Sequence, residues 1–303
     1  MYDQVTSNKR RSALLTFGFV LFVALIAFVV QKLLGAGPIA FVFALAIGGG
    51  SAFLSYWKSD SIALSMSRAV PADPVSYPRL HNLVEGLCIG AGVPKPRIFI
   101  VEDSAPNAFA TGRNPEHGAI AVTTGLLGMM NRVELEGVLA HELSHIKNYD
   151  TLVNTLAVTM VGVIALMSDF AIRMMWWGGG RTRRDDRDND SSAFALFAIL
   201  GVILLLVSPF IAQIMQFAVS RRRESLADAS AVEITRYPPG LISALEKLRD
   251  DTTVTSSASR ATAHMWIESP LARVEEEGKL SRLNRLFDTH PPLEERIAAL
   301  REM

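Results

Sequence analysis

The sequence predicts an α+β integral membrane protein, mostly helical and with a small β-sheet. Uncharged apolar segments recur at about 13–30, 38–57, 152–168 and 193–219. Between the second and third lies a stretch of ordinary soluble composition, where three short strand patterns run into a helix carrying HELSHIKNYD (His141–Asp150). Half of the 303 residues are hydrophobic and the mean hydropathy is +0.26, which is high for a soluble chain.

The first apolar segment, ALLTFGFVLFVALIAFVV (13–30), has no charge and is long enough to cross about 30 Å of hydrocarbon. Lys9, Arg10 and Arg11 precede it and predict a cytoplasmic N-terminus. A second apolar segment, Pro38–Trp57, follows the Gly35–Gly37 link at once, which favours a helical hairpin over a cleaved signal peptide. From Lys58 the composition changes. Ser76–Gly92 has helical periodicity, and Pro94–Pro96 ends it. Strands are expected at Arg97–Val101, Asn107–Gly112 and Ala119–Thr124, with His117 in the turn RNPEHG as a solvated loop residue. Asn131 is placed to cap the next helix, Glu134 to complete the box, and Val133, Leu135, Val138 and Leu139 to form its buried stripe.

The third and fourth apolar segments, 152–168 and 193–219, flank a polar loop, 178–192. Trp176 and Trp177 suit a membrane interface, and Asp169 and Arg173 can pair near its boundary. Arg181, Arg183, Arg184 and Arg187 count against an external loop, so this second hairpin either spans or re-enters. A helix candidate, SRRRESLADASAVEITRYPPG, ends at Pro238–Gly240. A Ser/Thr-rich loop, Asp250–His264, and a helix, Leu293–Met303, complete the chain. The expected organisation is therefore a transmembrane hairpin (1–57), a first catalytic part (58–150), a second apolar hairpin (151–219) and a second catalytic part (220–303).

Lys and Arg balance Asp and Glu at 30 each, which removes the global basic charge a nucleic-acid partner would need. Cys88 is the only cysteine, so an intrachain disulfide and any multi-cysteine metal site are excluded. It reads as a core residue. His141 and His145 are four apart and share one helix face, where two ring nitrogens can reach one metal ion. Glu142 stands beside them as a general base. The pattern is that of a zinc hydrolase with a zincin-type domain, which needs a third protein ligand and an open position for water. Glu224, just beyond the fourth apolar segment, is the candidate. Asp228, one turn further on, would accept a hydrogen bond from a ligand histidine.

HELSHIKNYD, then SRRRESLAD after an apolar hairpin, then DTHPPLEER near the end, resembles the HtpX-type membrane zinc proteases and, more distantly, the CAAX prenyl proteases. The resemblance extends to the whole layout. It implies one Zn²⁺ per chain on His141, His145 and Glu224, with Glu142 as base and Asp228 behind the ligands. It also implies that His290 faces the reacting carbonyl and that Asn107 lies beside the substrate. Ser225 departs from the pattern, since many relatives carry an aromatic residue after the ligand glutamate. The implied activity is endopeptidase cleavage of damaged or misfolded membrane proteins. The implied place is a prokaryotic inner (plasma) membrane, with the lipid bilayer as partner and the catalytic domain facing the cytoplasm. A membrane scaffold or a transporter with a non-catalytic metal site is the alternative. Against a transporter, polar residues deep in the apolar segments are scarce. Against a scaffold, Glu142 beside an open ligand set has no structural use.

Overall fold

The computed structural model describes residues 2–34, 42, 46, 50, 53, 56–58, 60–156, 221–253, 255, 265–267 and 291–303. His264, His290, Asp169, Arg173, Trp176, Trp177 and the loop 178–192 fall outside them, as do most of the second and third apolar segments and all of the fourth.

The chain begins with one long helix, α1 (Tyr2–Leu34). Its buried positions, Asn8, Ser12 and Phe19, share one face, while Leu14, Phe17, Leu21, Leu25 and Phe28 are exposed on others. Side chains of α1 are described at 6–22, 24, 25 and 28. Among the residues so described no helix is long and apolar enough to cross a membrane.

A short strand β1 (Val70–Pro71) and helix α2 (Pro78–Ala91) precede β2 (Arg97–Val101), β3 (Ala108–Thr111) and β4 (Ala119–Thr123). Together the strands form a mixed sheet in the order β1-β2-β4-β3. β2 and β4 are parallel, with Arg97 opposite Ala119 and Val101 opposite Thr123. β3 runs antiparallel to β4, with Ala108 opposite Val122 and Thr111 opposite Ala119. β4 is buried along its whole length, as a central strand should be.

Thr123 ends β4 and caps the short helix α3 (Thr124–Met129), its Oγ1 accepting the Leu126 amide at 3.1 Å. The central helix α4 (Arg132–Lys147) follows. Asn131 Oδ1 accepts the amides of Val133 and Glu134 at 2.9 and 3.0 Å, and the Asn131 amide donates to Glu134 Oε2 at 2.8 Å. This is the expected capping box, worth about 1 kcal/mol. Lys247 and Ser243 also donate to Glu134, at 2.6 and 2.7 Å, and so tie the cap to a second helix.

Leu135, Val138 and Leu139 are buried as the pattern predicts, but Val133 is 43% exposed. Its position in the first turn explains the difference. A Cβ on Gly240 would stand 2.8 Å from the Val133 carbonyl oxygen and 2.9 Å from its Cγ1, so Val133 touches the neighbouring helix there while the rest of its side chain stays exposed.

Beyond the undescribed stretch come α5 (Arg221–Thr235), α6 (Pro238–Asp250) and α7 (Leu293–Arg301). Pro238–Gly240 does more than end α5: Pro238 opens α6, where its missing N–H costs no hydrogen bond. α4 packs against α2, α5, α6 and β3. Residues from Leu80 to Leu300 share one core around it. The catalytic motif is thus on the most enclosed helix described.

Candidate metal centre

α4 and α5 bring His141, His145 and Glu224 together, and all three are buried. One ligand atom from each lies within 4.8 Å of the others. The two Nε2 atoms are 3.1 Å apart, and the rings stand at 90°. Glu224 reaches both, with Oε2 at 3.7 Å from His141 Nε2 and Oε1 at 3.6 Å from His145 Nε2.

Behind each ring stands a carboxylate. Asp228 Oδ1 is 2.8 Å from His141 Nδ1, and Asp150 Oδ2 is 3.2 Å from His145 Nδ1. Both contacts call for a proton on Nδ1, so in the neutral form of each ring Nε2 is the free lone pair. Two such nitrogens 3.1 Å apart, facing a carboxylate, need positive charge between them, either a proton on one Nε2 or a metal ion that takes both lone pairs. The spacing is near the ~3.3 Å edge of a tetrahedron with metal–nitrogen bonds of about 2.0–2.1 Å. The donor set therefore fits a metal ion of the zinc type.

Asp228 is itself gripped by Arg296 of α7, whose Nε and Nη2 donate to its two oxygens at 2.9 and 2.7 Å. Arg296 Nη2 also lies 3.3 Å from His141 Nδ1. That nitrogen cannot both donate to Asp228 and accept from Arg296, and the shorter contact belongs to Asp228. Arg296 is a neighbour of the ring rather than its hydrogen-bond partner. Burial raises the cost of charging Asp228, yet Arg296 and His141 outweigh it and hold the carboxyl well below the usual range.

The two histidines are driven apart electrically. Burial, then the Arg296 charge, pull His141 down to about 4. Burial acts on His145 too, but Glu224, Asp150 and Glu142 overcome it and push the ring up to about 9. Three carboxylates around one histidine make a negative site that a divalent cation would neutralise.

Of the other sequence candidates, Glu142 is buried on the same helix, and its charge acts on both His145 and Arg296. Asn107 opens β3. Its amide nitrogen donates to Thr255 Oγ1 at 3.3 Å and its side-chain oxygen accepts the Ala108 amide at 3.1 Å. His290 lies outside the described residues. His117 sits in a short 3-10 turn against Asn114, as a loop residue.

Arg296 and Asp150 are the residues that sequence reading left without a role. A signal for Arg296 exists: Leu293, Ile297 and Leu300 mark the apolar face of α7, and Arg296 flanks it.

Residues 74–303 match the model of peptidase family M48. A protease HtpX homolog of Thermoanaerobacter pseudethanolicus is 48% identical over 251 residues, covering 83% of this chain and 80% of the relative. Another, from Ligilactobacillus salivarius, is 41% identical over 304 residues and covers 100% of both chains. The crystal structure of S. mikatae Ste24p aligns at TM-score 0.46 and 17% identity, over 99% of this chain and 67% of that one. The chain belongs to peptidase family M48 and is a metalloprotease.

Proposed function

We propose that this chain is a membrane-anchored endopeptidase holding one Zn²⁺ per chain on His141, His145 and Glu224. The observation that carries this is the convergence of two Nε2 atoms and the Glu224 carboxylate at one buried point. Bound there, zinc would supply Lewis acidity to a carbonyl oxygen and to a water. Glu142 takes the water's proton and returns it to the leaving nitrogen. Asp228 and Asp150 fix the tautomer and orientation of the two rings. His290 donates to the developing oxyanion, a role worth a few kcal/mol in comparable sites.

An extended substrate would lie along β3, the edge of the sheet beyond β4. Asn107 bonds to β4 through its carbonyl, so by the two-residue period Ala108 and Ala110 direct their backbone groups outward. The Ala108 carbonyl already accepts the Ile267 amide at 2.9 Å, and Phe109 bridges to Trp266. Part of the edge is therefore covered by the chain itself, and Ala110 is the better place for a substrate strand. Ala110→Pro removes one outward donor without touching the ladder. It should leave zinc content unchanged and lower kcat/KM roughly five- to tenfold, as loss of one hydrogen bond of about 1 kcal/mol predicts. Normal cleavage by a folded variant would move the binding edge elsewhere.

Membrane attachment is read from α1. Its exposed Leu14, Phe17, Leu21, Leu25 and Phe28 give the helix an apolar outer face that lipid would cover. The uncharged stretch 13–30 is about 27 Å long, near the hydrocarbon thickness. With 38–57 it forms the first transmembrane hairpin, and the apolar segments of 151–219 form a second that spans or re-enters. Lys9–Arg11 put the catalytic parts, 58–150 and 220–303, on the cytoplasmic face of the inner membrane. Such a site is suited to damaged membrane proteins as substrates, in quality control.

A pair of variants tests the division of labour. Glu142→Gln keeps the ligands, so zinc should stay near one per chain while cleavage falls roughly 10²–10⁴-fold. Glu224→Ala should lose zinc affinity and activity together. Full cleavage by Glu142→Gln would remove the base from this scheme. Undiminished zinc in Glu224→Ala would move the third ligand elsewhere.

A further inference from the structure

The metal centre does not end with the residues of the catalytic parts. Asp150, which holds His145 Nδ1, follows Tyr149, whose φ of 60° is left-handed and strained for an aromatic residue. That twist, directly after the C-terminal cap Asn148, turns the chain so that the Asp150 carboxylate comes back toward the ring one turn earlier. A strained aim needs an external hold, and the hold comes from 140 residues away.

Asn8 of α1 is 2% exposed, although it stands within two residues of Arg10 near the charged start of the chain. Its side-chain amide donates to Asp150 Oδ1 and to the Asn148 carbonyl, the latter at 2.9 Å. Next to it, Lys9 Nζ lies 4.5 Å above the centre of the Tyr149 ring. Two successive residues of the N-terminal helix thus grip three successive residues of the turn. Arg223 Nε lies 3.8 Å from the same Asp150 oxygen, within ion-pair distance but too far to hydrogen-bond. Without Asn8, Asp150 has a competing partner toward which to rotate.

We propose that Asn8 is a positioning residue of the metal centre: it fixes Asp150, and through Asp150 it fixes His145. The neutral amide suits this task. It occupies one carboxylate oxygen with a donor and brings no charge of its own, whereas a lysine would add a positive charge beside a cation site. The arrangement also makes the first turns of the N-terminal helix part of the active centre. Asn8 is five residues, or about 7.5 Å along the helix, before the uncharged stretch begins at Ala13. Metal geometry and membrane anchoring therefore share one helix.

This rests on the assignment of His145 as a metal ligand, and the experiment separates the two. The full chain is purified in detergent, and the zinc dissociation constant is measured by chelator competition for wild type, Asn8→Ala, Asp150→Asn, the double variant, His145→Ala and the exposed control Arg10→Ala. Melting of each metal-free protein is recorded alongside. Carboxylates behind ligand histidines are worth about 10–100-fold in affinity, and Asn8 acts one step further out. Asn8→Ala should weaken zinc roughly three- to tenfold, Asp150→Asn by more, and the double variant no further than Asp150→Asn alone. Arg10→Ala should match wild type. Should Asn8→Ala not fold, Asn8→Gln, which keeps the amide one methylene out of place, takes its role with the same expected sign. The proposal is overturned if His145→Ala loses zinc while Asn8→Ala binds it within twofold of wild type, even if its melting falls. It is also overturned if the Asn8 and Asp150 effects add. Unchanged zinc affinity in His145→Ala would instead sink the ligand assignment itself.

Discussion

His141 and His145 are one helical turn apart and would do the same work, yet their supports are built from different materials. Behind His141 stand Asp228 and then Arg296, a buried carboxylate in a two-pronged ion pair. Behind His145 stand Asp150 and then Asn8, with Arg223 at 3.8 Å from Asp150 and no hydrogen bond across that gap. In the first arm the compensating charge is hydrogen-bonded to the carboxylate; in the second the hydrogen-bond donor is a neutral amide, and the Arg223 charge stands off at ion-pair distance. Burial disfavours charge on both rings; Arg296 adds to it and takes His141 down toward about 4, whereas Glu224 and then Asp150 outweigh it and take His145 up toward about 9. The charged arm ties the C-terminal helix α7 to the site, and the neutral arm ties in the N-terminal helix α1. The contrast says that the first arm chiefly secures the fold and the second chiefly tunes the metal.

The largest effect should come from breaking the charged arm on one side only. Arg296→Met leaves Asp228 buried and unpaired, a loss of about 3–5 kcal/mol in stability. Removing both charges, as Asp228→Asn with Arg296→Met, should recover most of that stability, because neither partner is then stranded. Zinc affinity should not recover, since the amide put in place of Asp228 does not draw on the His141 Nδ1 proton as a carboxylate does. Chemical denaturation of the metal-free protein measures the first quantity and chelator competition the second. In the neutral arm the order reverses, with Asp150→Asn costing more in zinc affinity than in folding. If both arms lose stability and affinity in equal proportion, the division between them is wrong.

How much of this could be read beforehand follows from distance along the chain. The capping box Asn131–Glu134 and the pair His141 and His145 lie within one or two helical turns, where periodicity speaks directly. Glu224 and Asp228 could be chosen because they share that spacing and because zinc chemistry asks for a carboxylate. The strand patterns at Arg97–Val101 and Ala119–Thr123 were visible as apolar runs. The partners that complete the arms lie 68 residues from Asp228 and 142 from Asp150, and no local pattern announces them. Arg296 lies within DTHPPLEER and Asn8 beside Lys9–Arg11, polar residues in charged surroundings that only the fold buries. Val133 failed for the opposite reason. Its periodicity is right, but in the first turn of α4 it meets only the Gly240 end of the neighbouring helix, and the rest of its side chain stays exposed. Likewise, Pro238–Gly240 correctly marked an end, but the prolines also opened α6.

The smallest effect is a control at the far end of the same helix. Glu134 is 3% exposed and accepts from Lys247, Ser243 and the Asn131 amide. Burial raises the cost of its charge, but those hydrogen bonds, led by Lys247, win and lower its pKa. The sign follows. A carboxyl with a depressed folded pKa contributes stability that is fully present above its unfolded value, about 4.3, and is lost as pH falls through the folded value. Glu134→Gln can still close the capping box, so the charge is what the substitution removes. Lys247 is partly exposed, which limits the difference at pH 7 to about 1 kcal/mol or less. Melting of wild-type and Glu134→Gln protein, both metal-free so that zinc release at low pH does not enter, should differ by a constant amount from pH 7 to about 5. Below about pH 4 the two curves should converge. A difference that stays flat to about pH 3, or widens on acidification, would contradict the hydrogen-bonded carboxylate described here. The same variant should bind zinc as tightly as wild type. If Glu134→Gln weakened zinc as Asp150→Asn does, effects at the metal would be spreading along the whole of α4, and the contrast between its two histidine arms would lose its local meaning.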